Sequence, residues 1–306
     1  MTSIAVLDEA SASGVNEETL RPRSLLALDA ATLRSNLNRR PFVIRHGLAD
    51  HPLFSLPRLI ELSKRLPADC VAYNSGDVPL DQGLYRGPRN GLSIEETIRR
   101  IEDCRSWMVL KFVEKDPEYR DLLDTCLDEV EALSDAVAPG MIKREGFIFI
   151  SSPGSVTPLH VDPEYNFLLQ VRGVKTVNIV DPADRTVLSE RDLENYYTTP
   201  SGEFVMRFED GFRARAARFG LSPGLGLHFP VTAPHWVENG GEVSISFSIT
   251  FETPFCSRRK TLYALNARLR ALGVRHPIPV GRSRVVDGIK CFGFRALGGA
   301  KRMLGG

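Results

Sequence analysis

The sequence has no apolar run approaching the ~18 residues that a membrane-spanning helix requires. Its start carries Asp8, Glu17 and Glu18 and no basic segment, which argues against a secretory leader. Five cysteines, Cys70, Cys104, Cys126, Cys256 and Cys291, are scattered, odd in number and without a C-x-x-C pair. They predict reduced, mostly buried thiols in a cytoplasmic protein rather than a disulfide frame or a zinc site. Internal repeats, low-complexity tracts and DNA-reading motifs are also missing.

What remains is ordinary globular composition, 42% hydrophobic and 25% charged, with a formal net charge of +1. The charge is unevenly placed. Residues 257–306 hold twelve Lys or Arg against one acid, Asp287, so the preceding part is about −10. A basic tail on an acidic body points to an anionic partner or to attraction between tail and body.

The pattern divides the chain into a loose N-terminus (1–20), a helical and mixed region (21–140), a β-rich core (141–256) with a polar insertion (184–216), and a basic helical tail (257–306). Helical spacing predicts helices near 31–40, 54–66, 94–104 and 117–137. Residues 74–92 read as a long loop, and Ser189–Tyr197 as a helix inside the insertion. After residue 141 short β-branched and aromatic segments alternate with Gly and Pro: 147–150, 166–171, 176–180, 226–230 and 243–251. Ser244 to Phe251 alternates strictly and predicts a half-buried antiparallel strand. In the tail, Leu262, Leu265, Leu269 and Leu272 mark the apolar side of a helix.

The densest chemistry lies in Thr157-Pro158-Leu159-His160-Val161-Asp162. His160 and Asp162 project to one side of an extended segment. His235, which directly follows a predicted strand, is the best third ligand. Two imidazoles and a carboxylate suit Fe(II) and leave positions open, whereas a structural zinc site is closed by four ligands. An isolated H-x-D is common by chance, so its context decides.

That context resembles the jumonji-C branch of the Fe(II)/2-oxoglutarate oxygenases, above all its protein hydroxylases. The run from Thr157 to Lys175 and the segment from Pro223 to Val237 carry the resemblance, about a third of the chain. It implies a mainly β, α+β fold built on a double-stranded β-helix, the cupin-like jelly-roll. It implies metal ligands His160, Asp162 and His235, and 2-oxoglutarate contacts Thr157 and Lys175. Asn166 matches a residue near the cosubstrate, though a local turn could equally occupy it. The reaction implied consumes O2 and 2-oxoglutarate and hydroxylates a C–H bond. An Asp ligand favours hydroxylases over the histone demethylases, which mostly carry Glu.

The sequence departs from the family at Pro223-Gly224-Leu225-Gly226, where an acid is usual, and at His228, where an apolar residue is usual. His228 reads as a core histidine, a substrate contact or a spare ligand. Trp107 is a candidate third cosubstrate contact or a core aromatic. Tyr73, Asn74 and Tyr85 are weak substrate candidates on the predicted loop. The substrate is a protein, a peptide or a small molecule. Alternative readings are a non-catalytic cupin-type regulatory protein, a metal-dependent isomerase, a demethylase and an RNA hydroxylase. For the tail three readings stand: a dimer-forming helix, a contact for acidic peptide or nucleic acid, and an interfacial helix on acidic lipid.

Overall fold

The computed structural model describes residues 24–83, 87–200 and 204–303. The N-terminal part gives β1 (Leu26–Ala27), α1 (Ala30–Asn36), β2 (Phe42–His46), α2 (Leu56–Arg65), β3 (Val71–Ser75), α3 (Ile94–Arg99), β4 (Ser106–Lys111) and α4 (Pro117–Ser134). Side-chain caps start the helices: Asp29 accepts from the Thr32 N–H, Ser93 from Glu96, and Asp116 from Glu118. The helix at 94–104 is shorter than its periodicity suggests. The predicted loop at 74–92 is also shorter, because Asn74 and Ser75 pair with Trp107 and Ser106.

The core follows as β5 (Ile142–Ser151), β6 (Val156–His160), β7 (Tyr165–Arg172), β8 (Lys175–Ile179), α5 (Glu190–Thr198), β9 (Ala217–Leu221), β10 (Leu225–His228), β11 (His235–Asn239) and β12 (Ser244–Glu252). The chain then forms α6 (Pro254–Ala271) and α7 (Arg284–Met303). One sheet runs β1-β2-β10-β7-β12-β5-β4-β3, and the other β6-β11-β8-β9. Every described pairing is antiparallel. Apart from the β8–β9 pair within the smaller sheet, consecutive core strands switch between the sheets, which is the double-stranded β-helix. The fold is mainly β with flanking helices, and β1–β4 extend the larger sheet at both edges.

β12 departs from the half-buried strand that its alternation predicts. Ile245, Phe247, Ile249 and Phe251 pack outward with residues of α1, α2 and α4. Ser244, Ser246, Ser248 and Thr250 are equally buried and turn into the barrel. Gln170 crosses this polar row: its amide donates to Ser244 Oγ, and its carbonyl accepts from Ser246 Oγ at 2.6 Å. Gln170 therefore satisfies the Ser244 and Ser246 hydroxyls within the buried interior. Between the sheets, Leu168 and Leu227 meet Val177, Ile179, Leu221 and Val237. On the outer face of the smaller sheet, α5 and α6 cover Leu159, Val161 and Trp236. Ser189 and Asp192 form a capping box that starts α5. Arg270 of α6 pairs with the buried Glu194 of α5 at 2.5 Å.

The apolar side of α6 is narrower than predicted. Leu262, Tyr263 and Asn266 are buried, while Leu272 is 83% exposed. Tight geometry joins β7 to β8: Gly173 has φ +69°, and a Cβ there would stand 2.4 Å from the Val243 carbonyl oxygen. Only glycine fits that close approach.

His228 is fully buried between Phe42 and Phe167. Its Nδ1–H donates to the Asn166 carbonyl at 2.7 Å, and its Nε2 accepts the Asn38 N–H at 2.9 Å. Burial pushes it from 6.5 down to about 4. As pH falls the unfolded chain takes up this proton first. The contribution to stability is therefore whole above pH 6.5 and is lost between 6.5 and 4, at roughly 3 kcal/mol by the linkage relation. Urea unfolding across that range should show a shallower fall for His228→Phe than for the wild type; equal slopes would remove His228 from this role.

Candidate metal centre and its two chambers

Strand pairing builds the centre. His160 closes β6 and His235 opens β11, and the two are direct register partners. β6 is an edge strand, which tolerates Pro158 in its middle. The imidazole centroids lie 4.0 Å apart. Asp162, two residues past His160, sets its carboxylate oxygens 3.9 Å from His160 Nε2 and 3.6 Å from His235 Nε2. One ligand atom from each of the three falls within 4.8 Å of the others.

Each imidazole is fixed by a backbone carbonyl. His160 Nδ1 donates to the Pro158 oxygen at 2.8 Å, and His235 Nδ1 to the Ala233 oxygen at 3.0 Å. A carbonyl only accepts, so in each ring Nδ1 carries the hydrogen and the Nε2 lone pair faces the cluster. Burial, then the neighbouring His160, pushes His235 down to about 4, which keeps it neutral and ready to ligate. Two neutral imidazoles and a carboxylate on one side of a cavity fit a divalent transition metal with free positions.

The cavity has two chambers that share Phe147, His160, Asp162 and Glu164. The inner one, about 100 Å³, reaches Thr157, Lys175, His235, Ser248 and Thr250. Lys175 is 6% exposed, and among the described residues it has no hydrogen-bond or ion-pair partner. Burial lowers its amine to about 7. Such an ammonium stays charged only with an anion beside it. Thr157 accepts the Trp107 Nε1–H at 3.0 Å, so its own hydroxyl hydrogen is free to donate elsewhere. These two side chains fit a bound carboxylate.

The outer chamber, about 470 Å³, opens past Glu145, Tyr196, Tyr197, Phe204, Glu252 and Lys260. Here Glu145 and Glu164 are both pushed above the usual carboxylate range. Burial is the main cause, followed by Glu114 for Glu145 and by Asp162 for Glu164.

Asn166 is 2% exposed, and among the described residues neither its amide nitrogen nor its amide oxygen has a partner, so it satisfies no local turn there. Trp107 stands behind Thr157 rather than in the chamber wall. His228 lies on the opposite face of its sheet, among Phe42 and Phe167, away from both chambers. Tyr73 bonds the Leu92 carbonyl, and Asn74 pairs along β4; neither lines the cavity. Tyr85 lies outside the described residues.

Three participants escape a motif search. Glu164 sits in the shared wall. Thr232 adopts φ +58°, a rare backbone state for a β-branched residue, and its N–H donates to the Asp162 carbonyl at 2.8 Å. Arg259 of α6 donates to Thr232 Oγ1 at 2.8 Å and lies over the Tyr263 ring. A chain of contacts thus runs from α6 to the carboxylate ligand. A left-handed Thr marks such a site only once coordinates exist.

No family model matches the chain. Among curated proteins it is similar to "Lysine-specific demethylase 8" of Danio rerio, 32% identical over 102 residues that cover 32% of this chain and 24% of the relative. It also resembles "Jumonji C domain-containing protein 5" of Drosophila melanogaster, 26% identical over 132 residues, 42% of this chain and 32% of that protein. The match thus spans about a quarter to a third of the length of these relatives. Among solved structures, Escherichia coli YcfD aligns with a TM-score of 0.53 over 89% of this chain and 67% of the other, at 15% identity, a likeness of fold.

Positioning through Thr232 makes a metal-binding prediction. Arg259→Ala should weaken Co(II) binding, read from the visible absorption of the bound ion, by at least tenfold, the scale expected of an outer-shell partner. Unchanged affinity would detach Arg259 from the centre.

Proposed function

We propose that this jumonji-C-type chain is an Fe(II)- and 2-oxoglutarate-dependent oxygenase that hydroxylates a C–H bond of its substrate. One observation carries the reading: a buried, unpaired lysine and a free threonine hydroxyl share a chamber with an open His-Asp-His cluster. A cupin that held metal for regulation, or an isomerase on the same barrel, would have no use for a second anion site behind the metal.

In this reading His160, Asp162 and His235 hold Fe(II) by one face. Lys175 and Thr157 take the distal carboxylate of 2-oxoglutarate, one by charge and one by a hydrogen bond. Trp107 supports Thr157 by occupying its acceptor side. Asn166, buried and unpartnered, is held as a polar contact on the cosubstrate side. Bound iron and 2-oxoglutarate supply the means to activate O2, with succinate and CO2 as by-products. Leu168, Phe149, Phe229 and Val237 keep the inner chamber poor in water.

The outer chamber is the substrate side. Its acids Glu145, Glu164 and Glu252 outnumber the lysines on its wall, Lys111 and Lys260, which favours a substrate group that brings positive charge. Aromatic walls at Phe147, Tyr196, Tyr197 and Phe204 suit the aliphatic stem of such a group. A lysine or arginine side chain presented by a peptide satisfies both, and the name of the relatives, a lysine-specific demethylase, is in keeping with it. The aspartate ligand supports hydroxylation as the outcome.

Succinate formation from 2-oxoglutarate with Fe(II) and air should be measurable in the wild type and absent in His160→Ala. Absence from the wild type, with no binding of either ligand, would sink the reading. Lys175→Met should weaken anaerobic 2-oxoglutarate binding at least tenfold while leaving Co(II) affinity intact.

The free Lys175 amine sits near 7, and a bound carboxylate raises it. Binding above pH 7 therefore takes up a proton, and affinity declines as pH rises from 7. Calorimetry in buffers of different ionisation heat should report that uptake, and Lys175→Met should abolish it.

A further inference from the structure

Helix α7 sits on the protein with its amphipathic faces reversed. Asp287 and Lys290 point inward: the Asp287 carboxylate accepts the Gly281 N–H, and Lys290 Nζ donates to Asn266 Oδ1 and to the Ile278 carbonyl. Val285, Ile289 and Phe292 point outward and are 72%, 67% and 76% exposed. At 3.6 residues per turn these three fall within an arc of about 60°. Leu272, Val274 and Ile278, in the segment between α6 and α7, are exposed as well. A soluble surface helix normally shows the opposite arrangement, so this stripe is shaped for a cover.

The surrounding charge selects the cover. Arg275, Arg282 and Arg284, in and beside the segment that carries these apolar side chains, are exposed. Asp287, the one acid of the tail, is 5% exposed with its carboxylate turned inward. A second copy seated on the same stripe would bring two basic tails together with nothing acidic between them. Nucleic acid meets the charge but not the aliphatic Val285 and Ile289, which offer no stacking surface. An anionic bilayer meets both: headgroups take the arginines, and the acyl boundary takes the apolar stripe. The helix carries four glycines, Gly288, Gly293, Gly298 and Gly299, a composition weak in helix propensity that gains from a surface to lie on.

We infer that α7 is an interfacial helix that docks this protein on anionic lipid surfaces through Val285, Ile289 and Phe292, with the flanking arginines on the headgroups. This inference is independent of the reaction proposed above, since none of these residues lines either chamber.

The test is co-sedimentation of the full chain with vesicles of phosphatidylcholine alone or with 30 mol% phosphatidylglycerol. Binding is expected on the anionic vesicles, at least tenfold weaker on the zwitterionic ones, and reduced by salt. I289D/F292D should lose it while keeping the wild-type thermal midpoint, because both side chains are solvent-exposed. In Phe292→Trp, emission should shift to the blue on anionic vesicles. Bare vesicles, binding indifferent to I289D/F292D, or unshifted emission would each overturn the inference. Bare vesicles together with a dimer in sedimentation velocity that I289D/F292D dissociates would make a second copy the occupant.

Discussion

The pairing of β6 with β11 is the constraint on which the rest depends. It sets His160 and His235 side by side, and Asp162 follows because the chain leaves β6 in the direction of the cluster. Each imidazole is turned by a carbonyl two residues before it in its own segment, so the ligands carry part of their own positioning. The remaining support comes from further away, through Thr232 and Arg259 on the far side of the smaller sheet. A centre assembled from two strands, a loop and a helix can be tight only if the barrel is rigid. The outer faces of β7 and β12, buried in the main hydrophobic core, make it so.

Charge in the barrel follows from the same architecture. Lys175 enters β8 pointing inward, where no acid of the described chain meets it. The barrel is therefore electrostatically incomplete without an anion, and the metal cluster lies at the mouth of that same chamber. On the other side of the cluster the imbalance reverses, since Glu145 and Glu164 crowd carboxylates together. One cavity thus presents a lysine inside and an excess of carboxyl groups over lysines outside, with the ligand set between them.

Much of this was legible in the residues. The H-x-D pair, the spacing of Thr157 and Lys175, and the β grammar after residue 141 point to the fold and the centre. Other features were not. β6, β9 and β11 escape a propensity reading because Pro158 interrupts one, Arg218 and Gly220 dilute another, and His235 and Trp236 open the third. β12 alternates as a half-exposed strand would, and composition cannot tell a polar face turned to solvent from one turned to a cavity. Glu164, Thr232 and Arg259 matter through distance and backbone angle, which no local motif encodes. Leucine spacing overstates the apolar side of α6, because Leu272 has the right spacing but lies past the last packed turn.

The two faces of β12 separate what most proteins mix. Ile245, Phe247, Ile249 and Phe251 belong to the hydrophobic core, while Ser244, Ser246, Ser248 and Thr250 belong to the barrel lumen. Odd positions carry folding and even positions carry chemistry. Such a strand can diverge along one register while the other is held, so new lumens can be written on an unchanged scaffold by substitution at every second residue.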